Sequence, residues 1–353
     1  MKLGFKKDLF FNSKIKWGNK ISKKNLIDLN KITKTYIYDC KFELKKSKGL
    51  EKNSNNFKIN IKSKKILLKK WRKNMRSIEV LNIIKLMKWL NSKNIPVQKP
   101  LKFNNGEYLL NYKKELWSIF NFVEGNHFKG NSLELKNVAK NIGILINTMQ
   151  HYPTKKFIKA PKYFTKEDES ILKEMSKKNF DFRKKFGKYS TEIKKYLPLI
   201  VKIFKKFRYL NYKIQNRRIN HIDLHPHNII TKKNKIIAFL DFDSCKIINE
   251  GYSIGYNLLK LCKQTVLYNK GKINKKTIAR KFLTILNKEY KINKIIKKNI
   301  YYFAISEVLR RLLFMFRLTI KKNNKNWNRI IPIQLGHIDE CEQFFLKKNH
   351  KMY

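Results

Sequence analysis

Apolar residues in the first third of the chain fall in short clusters separated by polar ones. The runs Thr35 to Leu44, 56–61 and 65–71 favour strands and are divided by Asn, Ser, Gly and Lys, which predicts an antiparallel sheet. One helix interrupts them. Ile78, Leu81, Ile84, Leu86, Met87 and Leu90 recur at helical spacing and stop before IPVQKP, where Pro96 cannot continue a helix. Two more strands are expected over 107–112 and 116–123, joined by a short charged turn. Beyond Gly125 the period changes, and 133–149, 192–207 and most of the chain from Gly255 onward read as helices. The exception is 219–248, where compact apolar runs flank polar clusters and predict a hairpin. The charged stretch 152–190 reads as an insertion, and no internal repeat is visible. The pattern therefore predicts an α+β chain, β-rich at the front and mainly helical behind.

Composition supports a folded chain, because 42% of the 353 residues are hydrophobic, with 24 Phe and 17 Tyr among them. The net charge of +57 would ordinarily point to nucleic acid or an anionic membrane. Its distribution argues for a solvated lysine surface: Lys outnumbers Arg 71 to 11 and is spread along the whole sequence, whereas base readers rely on Arg forks. Nucleic acid is thus not the expected partner, while peripheral contact with anionic lipid stays open. Cys40, Cys245, Cys262 and Cys341 form no CxxC pair and read as reduced, mostly buried thiols. Charges break the N-terminal segment before a signal peptide could form, and no later run approaches a membrane span, so the cytoplasm is the expected compartment.

Candidate chemistry concentrates in HIDLHPHNII (221–230) and AFLDFDS (238–244). Two acidic groups and an Asn at loop positions beside apolar strands are what phosphoryl transfer needs: a carboxylate to orient a hydroxyl, and oxygen ligands for magnesium. The pattern His-x-Asp-x-x-x-x-Asn, followed about thirteen residues later by an Asp at a strand end, resembles the core of the aminoglycoside phosphotransferase and choline kinase family. The match runs through His221, Asp223, Leu224, His225, Pro226, Asn228, Asp241, Phe242 and Asp243.

The resemblance implies a bilobal, protein-kinase-like fold, with a small β-rich lobe over 1–122 and a larger helical lobe over 123–353. It implies Asp223 as the base for a substrate hydroxyl, His221 as a brace of the loop, Asn228 and Asp241 as magnesium ligands beside the ATP phosphates, and Asp243 as an auxiliary metal group. In KKILLKKW, Lys69 takes the place of the lysine that holds the α- and β-phosphates, while Lys70 points to the opposite face. Glu79 is the expected partner of Lys69. Phe122 and Val123, in FNFVEG, resemble the hinge that meets adenine. The nucleotide-covering loop falls in GLEKNSNNFKI, which lacks GxGxxG and offers Ser54, Asn55 and Asn56 instead. Ser253 stands where the family has an Asp after the DFD strand.

Other readings of the same residues stay open. His221, Asp223, His225 and His227 could form a hydrolase-type metal cluster. Arg310 and Arg311, on an apolar helical stretch, could pair with Glu307 or reach the substrate cleft. The implied acceptors are hydroxyl compounds, among them aminoglycosides, amino alcohols, hydroxy-amino acids and sugars, and so basic a chain favours a neutral or anionic one. A glycolipid kinase at the inner membrane face and a non-catalytic nucleotide-binding relative are the alternatives.

Overall fold

A computed structural model describes residues 17–19, 21, 23–37, 43–47, 56–61, 64–153, 157, 159, 163–208 and 217–345. Asn55, Ser54 and Cys40 lie outside the described residues. The front of the chain contains β1 (Trp17–Asn19), α1 (Lys23–Tyr36), β2 (Glu43–Ser47), β3 (Asn56–Ile61), β4 (Lys64–Lys70), α2 (Ser77–Ser92), β5 (Pro100–Leu101), β6 (Leu110–Tyr112) and β7 (Glu115–Asn121). The strands form one antiparallel sheet in the order β1-β2-β3-β4-β7-β5, with β6 also paired to β7.

Strand alternation decides what each face of this sheet carries. Phe57, Ile59, Ile66, Leu68, Trp117 and Ile119 point to one face, where Leu29 and Ile32 of α1 cover them. Leu67, Trp71 and Phe120 point to the other, where they join Val80, Ile83, Ile84 and Met87 of α2. Lys69 shares the Leu67 face and so looks toward the rest of the molecule, whereas Lys70 turns away and pairs with Glu115 at 3.2 Å.

The strand expected over Thr35 to Leu44 is corrected at its start, where the chain is helical through Tyr36, and borne out at its end, where β2 begins at Glu43, while 38–42 lie outside the described residues. Four lysines and few apolar positions hide that helix in the sequence, and only its contact with the sheet gives it a buried side.

The larger part contains β8 (Asn126–His127), α3 (Ser132–Gln150), α4 (Lys166–Met175), α5 (Phe182–Phe186), α6 (Ser190–Arg208), β9 (Arg218–His221), β10 (Ile229–Lys232), β11 (Lys235–Phe239) and β12 (Cys245–Ile248), then α7 (Glu250–Tyr268), α8 (Lys275–Glu289), α9 (Lys294–Lys298), α10 (Ile300–Lys322) and α11 (Ile331–Phe345). Helices α7 and α10 cross closely because Gly255 leaves room: a Cβ there would meet Ala304 N at 2.8 Å. The predicted hairpin is a β8-β10-β11 sheet beside a β9-β12 ladder. The charged insertion is structured in part as α4 and α5, and Arg317 ties α4 to α10 through Asp168 at 3.1 Å.

One hydrophobic core runs from α2 and Trp71 through the helices of the larger lobe, while the cluster beneath α1 is separate. Cys245, Cys262 and Cys341 are buried free thiols. Among the described residues, no helix is long and apolar enough to cross a membrane.

Candidate active site

The functional loop is strung between two short ladders. Cys245 of β12 pairs with His221 at the end of β9, and Ile229 of β10 with Phe239 at the end of β11. Both polar clusters of the sequence, 221–228 and 241–244, are thereby brought to the same edge. His221 is 2% exposed and holds them together. Its Nε2 donates to Leu240 O at 2.8 Å, and its Nδ1 accepts from the Asp223 amide at 3.3 Å. Burial, the largest influence, keeps this imidazole neutral by pushing its pKa down. With both ring nitrogens committed, His221 is a brace and has none left for a metal.

Helix α7 grips the same loop from below. Ser253 Oγ donates to His221 O at 2.7 Å, and Asn257 Nδ2 donates to Ser253 Oγ at 3.0 Å. Asn257 Oδ1 accepts from the Leu224 amide at 3.0 Å. A serine and an asparagine one helical turn apart thus brace the loop where the family pattern has an aspartate. The serine was visible in the sequence as a departure; Asn257, four residues on, carried the missed half of the signal.

Asp223 and Asn228 face each other across the loop. Asn228 Nδ2 donates to Asp223 O at 2.8 Å, so Oδ1 is the atom left to act as a ligand. The Asp223 side chain is 21% exposed, with Arg311 Nη1 at 3.3 Å from Oδ1 and His225 Nε2 at 3.8 Å from Oδ2. Burial works to raise its pKa, but neighbouring positive charge, above all the Arg311 guanidinium, outweighs it and holds the carboxylate below its ordinary range. Asp223 is therefore ionised at neutral pH. His225 is pushed down to about 4, first by burial, and His127, whose ring lies 5.0 Å from that of His227, to about 3.

Asp241 sits in the left-handed region, at φ 63°, a backbone strain that a non-glycine residue holds only when its surroundings impose it. Lys69 Nζ lies 3.2 Å from an oxygen of Asp241 and 3.2 Å from one of Asp243. Arg72 Nη2 adds a 2.9 Å contact to Asp243. Burial and then the Asp243 charge raise the pKa of Asp241; burial opposes ionisation of Asp243 too, but Lys69 above all drives its pKa down. Two carboxylates already converge on one cation, with Asn228 on the adjoining loop. These hard oxygen donors fit a magnesium ion.

Glu79 does not join them. Its Oε2 accepts from the Arg76 amide at 2.9 Å and its Oε1 from Arg76 Nη2 at 3.1 Å, closing the N-terminus of α2. The short link 71–76 leaves Glu79 in the first helical turn, where free backbone N–H groups and the helix dipole claim a carboxylate. The expected Lys69–Glu79 pair is thus replaced by Lys69 with the two aspartates. Arg72, within that link, was not anticipated.

At the other end of the cleft, Lys65, Asn121, Phe122, Val123, Glu124, Lys232 and Ile237 line an open cavity of about 520 Å³. The Phe122 amide donates to Lys65 O at 3.2 Å, and Lys58 Nζ lies 4.5 Å from the centre of the Phe122 ring. Gly125 is needed where the chain turns toward β8, since a Cβ there would come within 2.6 Å of Ile230 Cγ2. Arg310 and Arg311 both pair with Glu307, which is fully buried, and Arg311 also reaches the cleft.

The fold recurs in solved structures. Spectinomycin phosphotransferase APH(9)-Ia, in complex with ADP and spectinomycin, superposes with a TM-score of 0.67 at 16% identity, covering 91% of this chain and 95% of that one. Amicoumacin kinase hAmiN, in complex with AMP-PNP, Ca2+ and Ami, gives 0.62 at 13% identity over 89% and 93%. Choline kinase LicA from Streptococcus pneumoniae gives 0.55 at 11% identity over 90% and 99%. These likenesses establish the bilobal kinase-like fold. Among curated proteins no match is found. The sequence profile of the phosphotransferase enzyme family, APH, matches residues 48–263, more than half of the chain and the whole span from β4 to the α7 brace. With its loop, its aspartate pair and its fold in agreement, the chain belongs to the phosphotransferase enzyme family.

Proposed function

We propose that this phosphotransferase is a cytoplasmic, ATP- and magnesium-dependent kinase that phosphorylates a hydroxyl of a small molecule. The observation that carries the reading is the meeting of Asp223, Asn228 and Asp241 at one edge of a cleft whose opposite wall supplies Lys69. The likeness to structures solved with AMP-PNP and with ADP supports ATP as donor. We divide the chain for this purpose at the hinge, into 1–122 and 123–353, with adenine against Phe122 and Val123.

Asp223, ionised and fixed by its neighbours, accepts the hydrogen bond of the acceptor hydroxyl and points its oxygen lone pair at the γ-phosphorus. As the new O–P bond forms and the bond from phosphorus to the β,γ-bridging oxygen breaks, the hydroxyl proton passes to the Asp223 carboxylate and ADP leaves. Arg311 keeps the pKa of this base low, so it acts mainly by orienting its partner. Asn228 and Asp241, with Asp243 beside them, would hold the metal. Bound there, magnesium would neutralise charge on the phosphates. Lys69, freed from the aspartates by such a cation, is placed to reach the α- and β-phosphates.

The test is ADP release with Mg-ATP over a panel of sugars, amino alcohols, hydroxy acids and aminoglycosides, with Asp223→Asn as control. We expect the variant to lose at least about 100-fold in turnover, at the low end of general-base contributions. Turnover equal to wild type would remove Asp223 from the role of base.

A further inference from the structure

The side of Asp223 turned away from the metal residues is built by three helices of the larger lobe, and its chemistry is cationic. Helix α7 is anchored to the catalytic loop by the bond from the Leu224 amide to Asn257. Lys260 lies one turn further along α7, and its Nζ is 3.1 Å from His337 Nε2 on α11. Its charge is felt by both Asp223 and His225. Arg311, from α10, stacks at 4.1 Å on the Tyr256 ring, one turn before Lys260, while reaching Asp223.

Glu307 and Glu340, the carboxylates that contact Arg311 and His337, are already engaged. Glu307 is completely buried beneath Arg310 and Arg311, and Glu340 is held by His337 at 2.6 Å and Lys263 at 2.7 Å. His337 donates its Nδ1 proton to Glu340 and is thereby left to accept from Lys260 at Nε2, so it orients the ammonium without adding a negative charge of its own. A second observation is an acceptor on this wall that no protein group uses. Gln334, 6% exposed, engages Tyr256 but has no hydrogen-bond partner for Oε1. A buried amide oxygen left bare is costly, and a ligand hydroxyl would satisfy it.

We propose that the phosphate acceptor is a hydroxyl compound carrying an acidic group, a carboxylate or a phosphate ester, seated by Lys260 within the positive field of Arg311 while its reacting hydroxyl meets Asp223. This rests on the kinase reading above and specifies its substrate. An ammonium on the acceptor side of the base is worth most to an anion and repels a polyamine or quaternary amine, for which Asp223 is the carboxylate on offer and Arg311 already holds it.

The full chain with Mg-ATP is assayed for ADP release against gluconate, glycerate, glucose 6-phosphate, glucose, glycerol, choline and kanamycin. The highest kcat/KM is expected for an acidic member, and the first two against the third separate carboxylate from phosphate. For that acceptor, Lys260→Ala raises KM by about tenfold to a hundredfold, the range expected for a hydrogen bond to a charged group. The KM for ATP stays within about threefold, because the lost contact is on the acceptor side. Lys260→Arg recovers most of the loss, which a merely structural role for the side chain would not predict. A neutral or cationic best acceptor, no turnover of any acidic member, or an unmoved KM in Lys260→Ala overturns the proposal. The kinase reading fails separately, by absence of calorimetric Mg-ATP binding or by full activity of Asp223→Asn.

Discussion

At the scale of single residues, Lys69 and Glu79 part company. In a strand-to-helix pair of this kind the glutamate would hold the lysine, but here Asp241 and Asp243 hold it and Glu79 closes a helix end. The consequences of mutation should differ accordingly. Lys69→Met is expected to lower kcat/KM for ATP by about 10- to 100-fold, since it removes a charge-assisted contact to phosphate. Glu79→Gln should change it by less than about threefold and lower stability by about 1 kcal/mol through the weakened cap. Steady-state kinetics and urea midpoints for the two variants check this, and equal kinetic damage from both would restore the direct pair. The loop that carries His221, Asp223 and Asn228 was legible because these residues lie close together in the sequence, at a spacing that resembles the family's. Asn257, Lys260 and Arg311 were not, because each sits on a helix whose apolar periodicity looks like ordinary core, and only the crossing of α7, α10 and α11 brings them to Asp223.

Among the elements, most of the sheet and helices followed from periodicity alone. Strand β3 coincides with its expected range, and α2, α3 and α6 extend the predicted helices by a turn or less. Helix α1 escaped detection because its buried side, Leu29 and Ile32, is narrow and its lysines dominate the pattern. The turn between β6 and β7 shows an element working against its sequence. Lys113 and Lys114 both adopt positive φ, 50° and 63°, as a tight two-residue hairpin requires, yet neither is Gly or Asn. Placing a side-chain-bearing residue there costs about 1 kcal/mol or more. Lys114→Gly should therefore raise stability by up to about 1 kcal/mol, the relief being offset in part by the greater freedom of glycine in the unfolded chain. A rise in the urea midpoint with unchanged slope is the expected readout, and a fall would mean that Lys114 makes a compensating contact. The Lys113 ion pair with Asp28 of α1, at 2.7 Å, lies at the same turn and is left intact by this substitution.

For the whole molecule, the excess of positive charge says less about stability than a few buried imidazoles do. His337 is fully buried between Lys260, Lys263 and Glu340, and its pKa is pushed down to about 4, first by burial and then by the Lys260 charge. His225 is likewise lowered to about 4 and His127 to about 3. In the unfolded chain each takes up a proton near pH 6.5. Between that pH and the folded value the unfolded state binds more protons, so stability falls as the solution is acidified. The loss begins below about pH 6.5 and continues to about pH 4, and His337 alone accounts for at most about 3 kcal/mol of it. Glu340, held at about 2 against burial by His337 and Lys263, acts in the same direction at lower pH: its stabilisation is present above its ordinary pKa and is lost as pH falls through the folded value. Urea midpoints at pH 7, 6 and 5 should therefore drop steadily. His337→Gln, which keeps one donor and one acceptor in place of the ring, should be less stable at pH 7 but show a shallower drop toward pH 5. A variant as pH-sensitive as the wild type would assign the acid lability to His127 and His225 beside the catalytic loop. Activity would then decline in step with the loss of stability.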